Sequence, residues 1–320
     1  MEKLSGYMFI AAMLSTGLAT IFYLMYAVSG LRAARMQTAG MTMTTGSVSI
    51  TSGPRTAAIG RYATMLGWLA VFTLLAALVA RTVATGHGPF ANMYEFSMAF
   101  AFGILLAYML FERRYHQRIL ALIALPVALA MMLYANTIPP DIAPLVPALQ
   151  NNLLLTVHVA VAIVAYGSFA IAFAAAALYL VQLFLAWVMN RDEPGGWGLP
   201  RLDVLDDIGY RAVIVGFPFL TATIILGAVW ADTAWGSYWS WDPKETASLV
   251  TWFIYGAYLH ARVMRGWRGN RAAWLLVLGF APFRLFQLAQ CVLAFAQGPL
   301  RPTRLHAPPR RWYRRRNSRR

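Results

Sequence analysis

Apolar residues run along this chain in blocks far longer than the helices of a soluble core, and the polar residues collect between them. Blocks long enough to cross a bilayer, about 17 to 25 residues each, fall at 6–28, 63–80, 96–111, 119–135, 155–186, 212–230, 247–262 and 272–299. The pattern predicts an all-α fold, a polytopic membrane protein of about eight transmembrane helices. The third, fourth and seventh blocks are short and borrow residues from their flanks.

Charge orients these helices. The loops at 29–62, 112–118, 190–211 and 262–271 hold 4, 3, 3 and 4 arginines, whereas the alternate loops hold only Arg81 and Lys244. By the positive-inside rule the first set is cytoplasmic, so the N-terminus, the loop 231–246 and the far end of the eighth helix face outward. The first block is longer than a signal-peptide core, lacks a small-residue cleavage site and is followed by Arg32 and Arg35, so it reads as an anchor. Composition agrees: 59% of the 320 residues are hydrophobic and 12% charged, which excludes a soluble domain and makes the lipid bilayer the first partner. No nucleic-acid partner is expected.

Between the blocks, one stretch stands apart. Five of the eleven tryptophans lie between Trp230 and Trp252, in WADTAWGSYWSWDPKETASLVTW. Aromatic rings gather at membrane interfaces, and Asp242-Pro243 with Glu245 spells a helix start with a capping box. Neither effect calls for Trp235, Trp239 and Trp241 to crowd with Tyr238 around Gly236, Ser237 and Ser240. A surface for a flat apolar ligand does call for such a set, with small residues between the rings to permit close approach.

Trp-Gly-x-x-Trp-x-Trp-Asp at 235–242, continued by Pro-Lys-Glu-Thr and a helix that ends Tyr-Leu-His-x-Arg, resembles the tryptophan-rich WWD signature of haem-handling proteins of cytochrome c assembly. Within that superfamily it is most similar to the CcsA (ResC) type, the integral membrane half of the system II cytochrome c synthase. The resemblance spans about Pro89 to Phe280, and Asn-x-Tyr-Glu at Asn92–Glu95 belongs to it. It implies haem b, bound without covalent links and in transit, held at Trp235, Gly236, Tyr238, Trp239, Trp241 and Asp242. A single cysteine, Cys291, excludes an internal disulfide, a CxxC pair and a C-x-x-C-H haem attachment in this chain.

The histidines sort by position. His158 sits about 9 Å inside the outer end of the fifth helix, and His260 about 25 Å down the seventh, so the two lie at opposite depths. An ionisable residue inside the membrane is a functional candidate by default, although each could instead be a structural or interfacial histidine. The resemblance makes His158 an external haem-iron ligand and His260 the transmembrane histidine of an inner haem site. His87 reads as a solvated loop residue and His116 as part of a charged cytoplasmic loop. Glu95 reads as an anion at a helix entrance, the prolines of 136–152 as a stiff outer cover, and Asp203, Asp206 and Asp207 as an exposed loop.

Three regions follow: an anchor helix and flexible cytoplasmic loop at 1–62, a haem-handling core at 63–280, and an atypical last span and tail at 281–320. That tail departs from the family, whose chains close on an outer Leu-His-Ser-Tyr segment carrying the second external ligand. Here Arg284 falls inside the eighth block and nine arginines occupy 301–320, against the charge rule of every other loop. A frameshift near codon 281 is one reading of this, and a basic tail left in the cytoplasm is the other; the second outer ligand stays open.

The function implied is haem transport and presentation for covalent attachment to apocytochromes c, as a component of a cytochrome c synthase or haem lyase with no catalytic side chain of its own. Implied partners are a CcsB (ResB) type membrane protein, an apocytochrome c with Cys-x-x-Cys-His, and thiol-reducing proteins. The setting is a bacterial plasma membrane or a thylakoid-type membrane. Two alternatives are a b-type haem electron-transfer subunit, which needs histidines paired at matched depth, and a haem-free permease, which needs ionisable or broken helices near mid-membrane.

Overall fold

The computed structural model describes residues 1–40, 54–141, 152–190 and 199–280, the side chains of 33–40, Pro54, Asn152 and Trp235 excepted. Loop 41–53, most of the proline-rich outer cover and the atypical segment 281–320 lie outside the described residues.

The helices are α1 (Glu2–Gly40), α2 (Pro54–Thr85), α3 (Met93–Tyr115), α4 (Ala121–Asn136), α5 (Asn152–Val188), α6 (Leu202–Trp235) and α7 (Pro243–Arg265). A 3₁₀ turn at Arg118–Leu120 leads into α4, and residues 270–280 form α8. Among the described residues there is no strand, and six helices, α1 to α6 with α4 counted together with its 3₁₀ turn, are long and apolar enough to cross a membrane. α7 has the length, 23 residues, but Lys244, Glu245, His260, Arg262 and Arg265 make it less apolar than the others.

α1 pairs with α2 and α5 with α6, while α3 packs on α2, α4 and α5. The α1–α2 pair is antiparallel, since the Ser5 hydroxyl near the start of α1 donates to the Ala77 carbonyl near the end of α2 at 2.9 Å. α3 and α5 cross with their backbones almost touching. A Cβ on Gly103 would meet Ile163 Cγ2 at 2.4 Å, and one on Gly167 would meet the Gly103 carbonyl oxygen at 2.7 Å. Beyond the crossing, Phe169 of α5 stacks on Tyr255 of α7, centroids 3.9 Å apart.

Most helices outrun their apolar blocks, and the overhangs carry charge. Arg81, expected in an outer loop, lies inside α2, 2% exposed, and its Nε donates to Glu95 Oε1 at 2.8 Å. Glu95, 1% exposed, also accepts the Ala91 N–H at 2.8 Å, and Arg81 Nη2 reaches the Asp141 carbonyl at 3.2 Å. Glu95 is therefore half of a buried ion pair, which goes beyond the helix-dipole reading of it. Asp203, Asp206 and Asp207, expected in an exposed loop, belong to α6; Asp206 pairs with Arg262 of α7 at 2.5 Å and takes the Gly269 N–H at 3.2 Å. Charge enters such a bundle only where a partner meets it, because an unpaired buried ion is costly.

Candidate functional site

The tryptophan-rich stretch is a tight turn between two helices. α6 runs through Trp235 and stops because Gly236 takes φ 72°, with its N–H donating to the Asp232 carbonyl at 2.8 Å. A left-handed residue at that place ends a helix, and glycine adopts it without a Cβ penalty. The loop expected over 231–246 thus narrows to 236–242. Asp242 caps α7 through the Lys244 N–H at 2.7 Å, with Pro243 next and the capping box complete. The Glu245 carboxylate gathers the Ser240 N–H at 2.9 Å and the Asp242 N–H at 3.2 Å, which ties the loop to the first turn of α7.

So held, the loop displays its rings. Trp239 and Trp241 meet edge to face, centroids 5.8 Å apart at 89°. Trp241 is 70% exposed and Tyr238 61%, while Trp239 is half-buried with its Nε1 lacking a hydrogen-bond partner. Trp241 itself sits at φ 59°, in the left-handed region that only a short constrained turn imposes on a bulky residue. Trp235 ends α6, and its side chain falls outside the described residues.

His158 lies on α5 against α6. A Cβ on Gly227 would stand 2.9 Å from its Cε1, so only glycine leaves room for the ring there. The Thr223 backbone faces the imidazole, and Nδ1 is buried with no hydrogen-bond partner. An imidazole wedged between helices with one unpaired nitrogen is what an iron ligand requires. From Gly227 to Gly236 is nine residues of α6 and its cap, about 14 Å, so His158 lies below the tryptophan loop at the same end of the bundle.

His260 lies at the other end. Its side chain is exposed on α7, off the face that buries Thr251, Tyr255, Tyr258 and Ala261. It is two residues from Arg262, which pairs with Asp206 near the start of α6. Asp206 and Gly227 are 21 residues apart along α6, about 31 Å, so the two histidines lie too far apart to share one ligand. Among the described residues, no three His, Cys, Asp or Glu side chains gather as a metal site.

Residues 90–289 match the family model for the cytochrome C assembly protein. The chain belongs to the cytochrome c assembly protein family. Among curated family members, cytochrome c biogenesis protein CcsA of Guillardia theta is 37% identical over 230 residues, covering 66% of this chain and 76% of its own. CcsA of Gloeobacter violaceus is 35% identical over 267 residues, covering 66% and 78%. Of solved structures, cytochrome c heme lyase CcmF superposes at TM-score 0.50 with 20% identity. That alignment covers 85% of this chain and 46% of the heme lyase, and it carries the fold alone. With its six described spans, this family member is an integral membrane protein.

Sequence reasoning missed the buried ion pair of Arg81 and Glu95. Arg81 stood one residue beyond an apolar block, and Glu95 directly after Met93-Tyr94; only their placement fourteen positions apart across a turn hinted at a pair.

Proposed function

We propose that this chain carries haem and presents it for covalent attachment to apocytochromes c. Family membership supports a place in cytochrome c maturation, and the family implies haem, an apocytochrome and membrane partners. The observation that carries the finer reading is His158: a buried, unpaired Nδ1 on a ring seated against Gly227, at the same end of the bundle as the half-buried Trp239 and the exposed Trp241.

In this reading His158 holds the iron from one side, and Trp239 and Trp241 with Tyr238 and Gly236 border the porphyrin. Asp242 holds the loop in place as an N-cap. His260 marks an inner site where haem b is first taken up, without covalent links. Haem supplies the iron and the vinyl carbons to which the cysteines of a Cys-x-x-Cys-His segment bond. The chain contributes orientation and proximity. A CcsB-type membrane protein works beside it, thiol-reducing proteins keep the apocytochrome cysteines free, and the scarcity of arginine at that end of the helices supports an outward-facing tryptophan loop.

The test is spectroscopic. The chain is purified in detergent after co-expression with its CcsB-type partner, and oxidised and reduced visible spectra are recorded for wild type, His158→Ala and His260→Ala. A Soret band that weakens or shifts in either variant supports the reading. A wild-type preparation without haem, even with a Leu-His-Ser-Tyr ending supplied, overturns it.

A further inference from the structure

The loop that holds Gly88 packs on Thr156 in the first turns of α5, where a Cβ on that glycine would meet Oγ1 at 2.8 Å. α3 therefore starts at the tryptophan-loop end and finishes at the opposite, arginine-rich end. There, between α2 and the last turn of α3, lies a cavity of about 270 Å³ lined by Thr64, Trp68, Glu112, Arg113, His116 and Arg118 among others.

Its charge balance is set by Glu112. That carboxylate is 5% exposed and both oxygens are taken: Oε2 accepts from Tyr23 and, at 2.5 Å, from Tyr108, while Oε1 accepts from Thr64 at 2.5 Å and from Arg118 Nε at 3.3 Å. Arg118 is seated as firmly. Its guanidinium lies over the Tyr26 ring, 5.6 Å from the centroid, and a Cβ on Gly60 would come within 2.8 Å of Nη1. One arginine thus balances the one carboxylate. Arg113 adds a second cation on the cavity wall, with no carboxylate within ion-pair distance among the described residues. A cavity wall with surplus positive charge suits a phosphate.

Its other wall is apolar and leads into the bilayer. Trp68 stacks on Phe72, centroids 5.8 Å apart. Met65, Leu69 and Phe72 are 64%, 50% and 61% exposed and run from the cavity along α2 toward mid-span. A ligand that fills both parts has an anionic head and a hydrocarbon tail. Basic pockets between transmembrane helices take acidic lipid headgroups.

We propose that this cavity binds the phosphate headgroup of an acidic phospholipid, Arg113 and Arg118 holding the phosphate and Trp68, Leu69 and Phe72 bordering an acyl chain. The full chain is purified in detergent, delipidated, and titrated with phosphatidylglycerol or phosphatidylcholine under native mass spectrometry. Phosphatidylglycerol binds preferentially, and Arg113→Gln weakens it roughly five-fold, as befits one basic residue at a lipid surface. Arg113→Lys keeps most of the binding. Arg114→Gln, a neighbouring arginine that lies over Tyr115 and outside the cavity wall, leaves it unchanged. Size-exclusion profiles matching wild type show that the variants fold. Equal binding of the two lipids, no loss in Arg113→Gln, or an equal loss in Arg114→Gln overturns the proposal. Displacement of the lipid by excess inorganic phosphate also overturns it, in favour of a free-anion site.

Discussion

The His158 imidazole rests on Gly227, the one residue type whose side of the α6 surface leaves room for it. Gly227→Ala places a methyl group 2.9 Å from Cε1, and the ring must turn or withdraw. If His158 holds iron, this variant loses haem affinity by about ten-fold or more, as changes in the support of a ligating histidine do, while still folding. Haem content per mole of purified protein measures it, beside His158→Ala. Unaltered haem in both variants removes His158 from the site.

Trp241 separates a binding role from a structural one. It is 70% exposed and holds a left-handed φ of 59°, so Trp241→Gly relaxes the backbone at little loss of packing. The thermal midpoint in detergent changes by the equivalent of about 0.5 kcal/mol or less. Haem content falls nonetheless, because the ring is gone. A matched fall in both readouts assigns Trp241 to folding alone.

Asp242 has the opposite signature. Its carboxylate caps α7 through the Lys244 N–H, so Asp242→Ala destabilises by about 1 kcal/mol. Asp242→Asn or Asp242→Ser, which cap equally well, restore both the thermal midpoint and any haem lost with it. Haem that stays lost in Asp242→Asn, with stability recovered, gives the carboxylate charge a direct part in the site.

The Arg81–Glu95 pair braces the same end of the bundle. Glu95→Ala leaves a guanidinium that is 2% exposed without its anion, a change that costs about 3 to 5 kcal/mol. The double variant Arg81→Met with Glu95→Leu recovers much of that, since it removes both charges at similar volume. Thermal unfolding of the three proteins in one detergent measures the order: the single variant is lowest and the double lies close to wild type.

The spans and the cap of α7 were legible because both are written locally: a run of apolar residues long enough to cross a bilayer, and Asp242-Pro243 with Glu245 three residues after the cap. Helix ends were less so. α6 begins at Leu202 and continues to Trp235, well past the apolar block 212–230, since a helix goes on satisfying its backbone after the hydrocarbon ends. Asp206 looked like loop for that reason, and its partner Arg262 lies 56 positions away. The separation of His158 from His260 followed from rise per residue alone. The room that Gly227 leaves for His158 did not, because a glycine in an apolar run gives no sign of what faces it.

Gly103 and Gly167 bring two backbones together at the middle of the bundle, with Ile163 packed directly against Gly103. That contact works as a closed seam. If the proposed haem transfer from the His260 end to the His158 end runs through this chain, this seam closes the way between α3 and α5 to it, whereas Phe253 and His260 of α7 face outward.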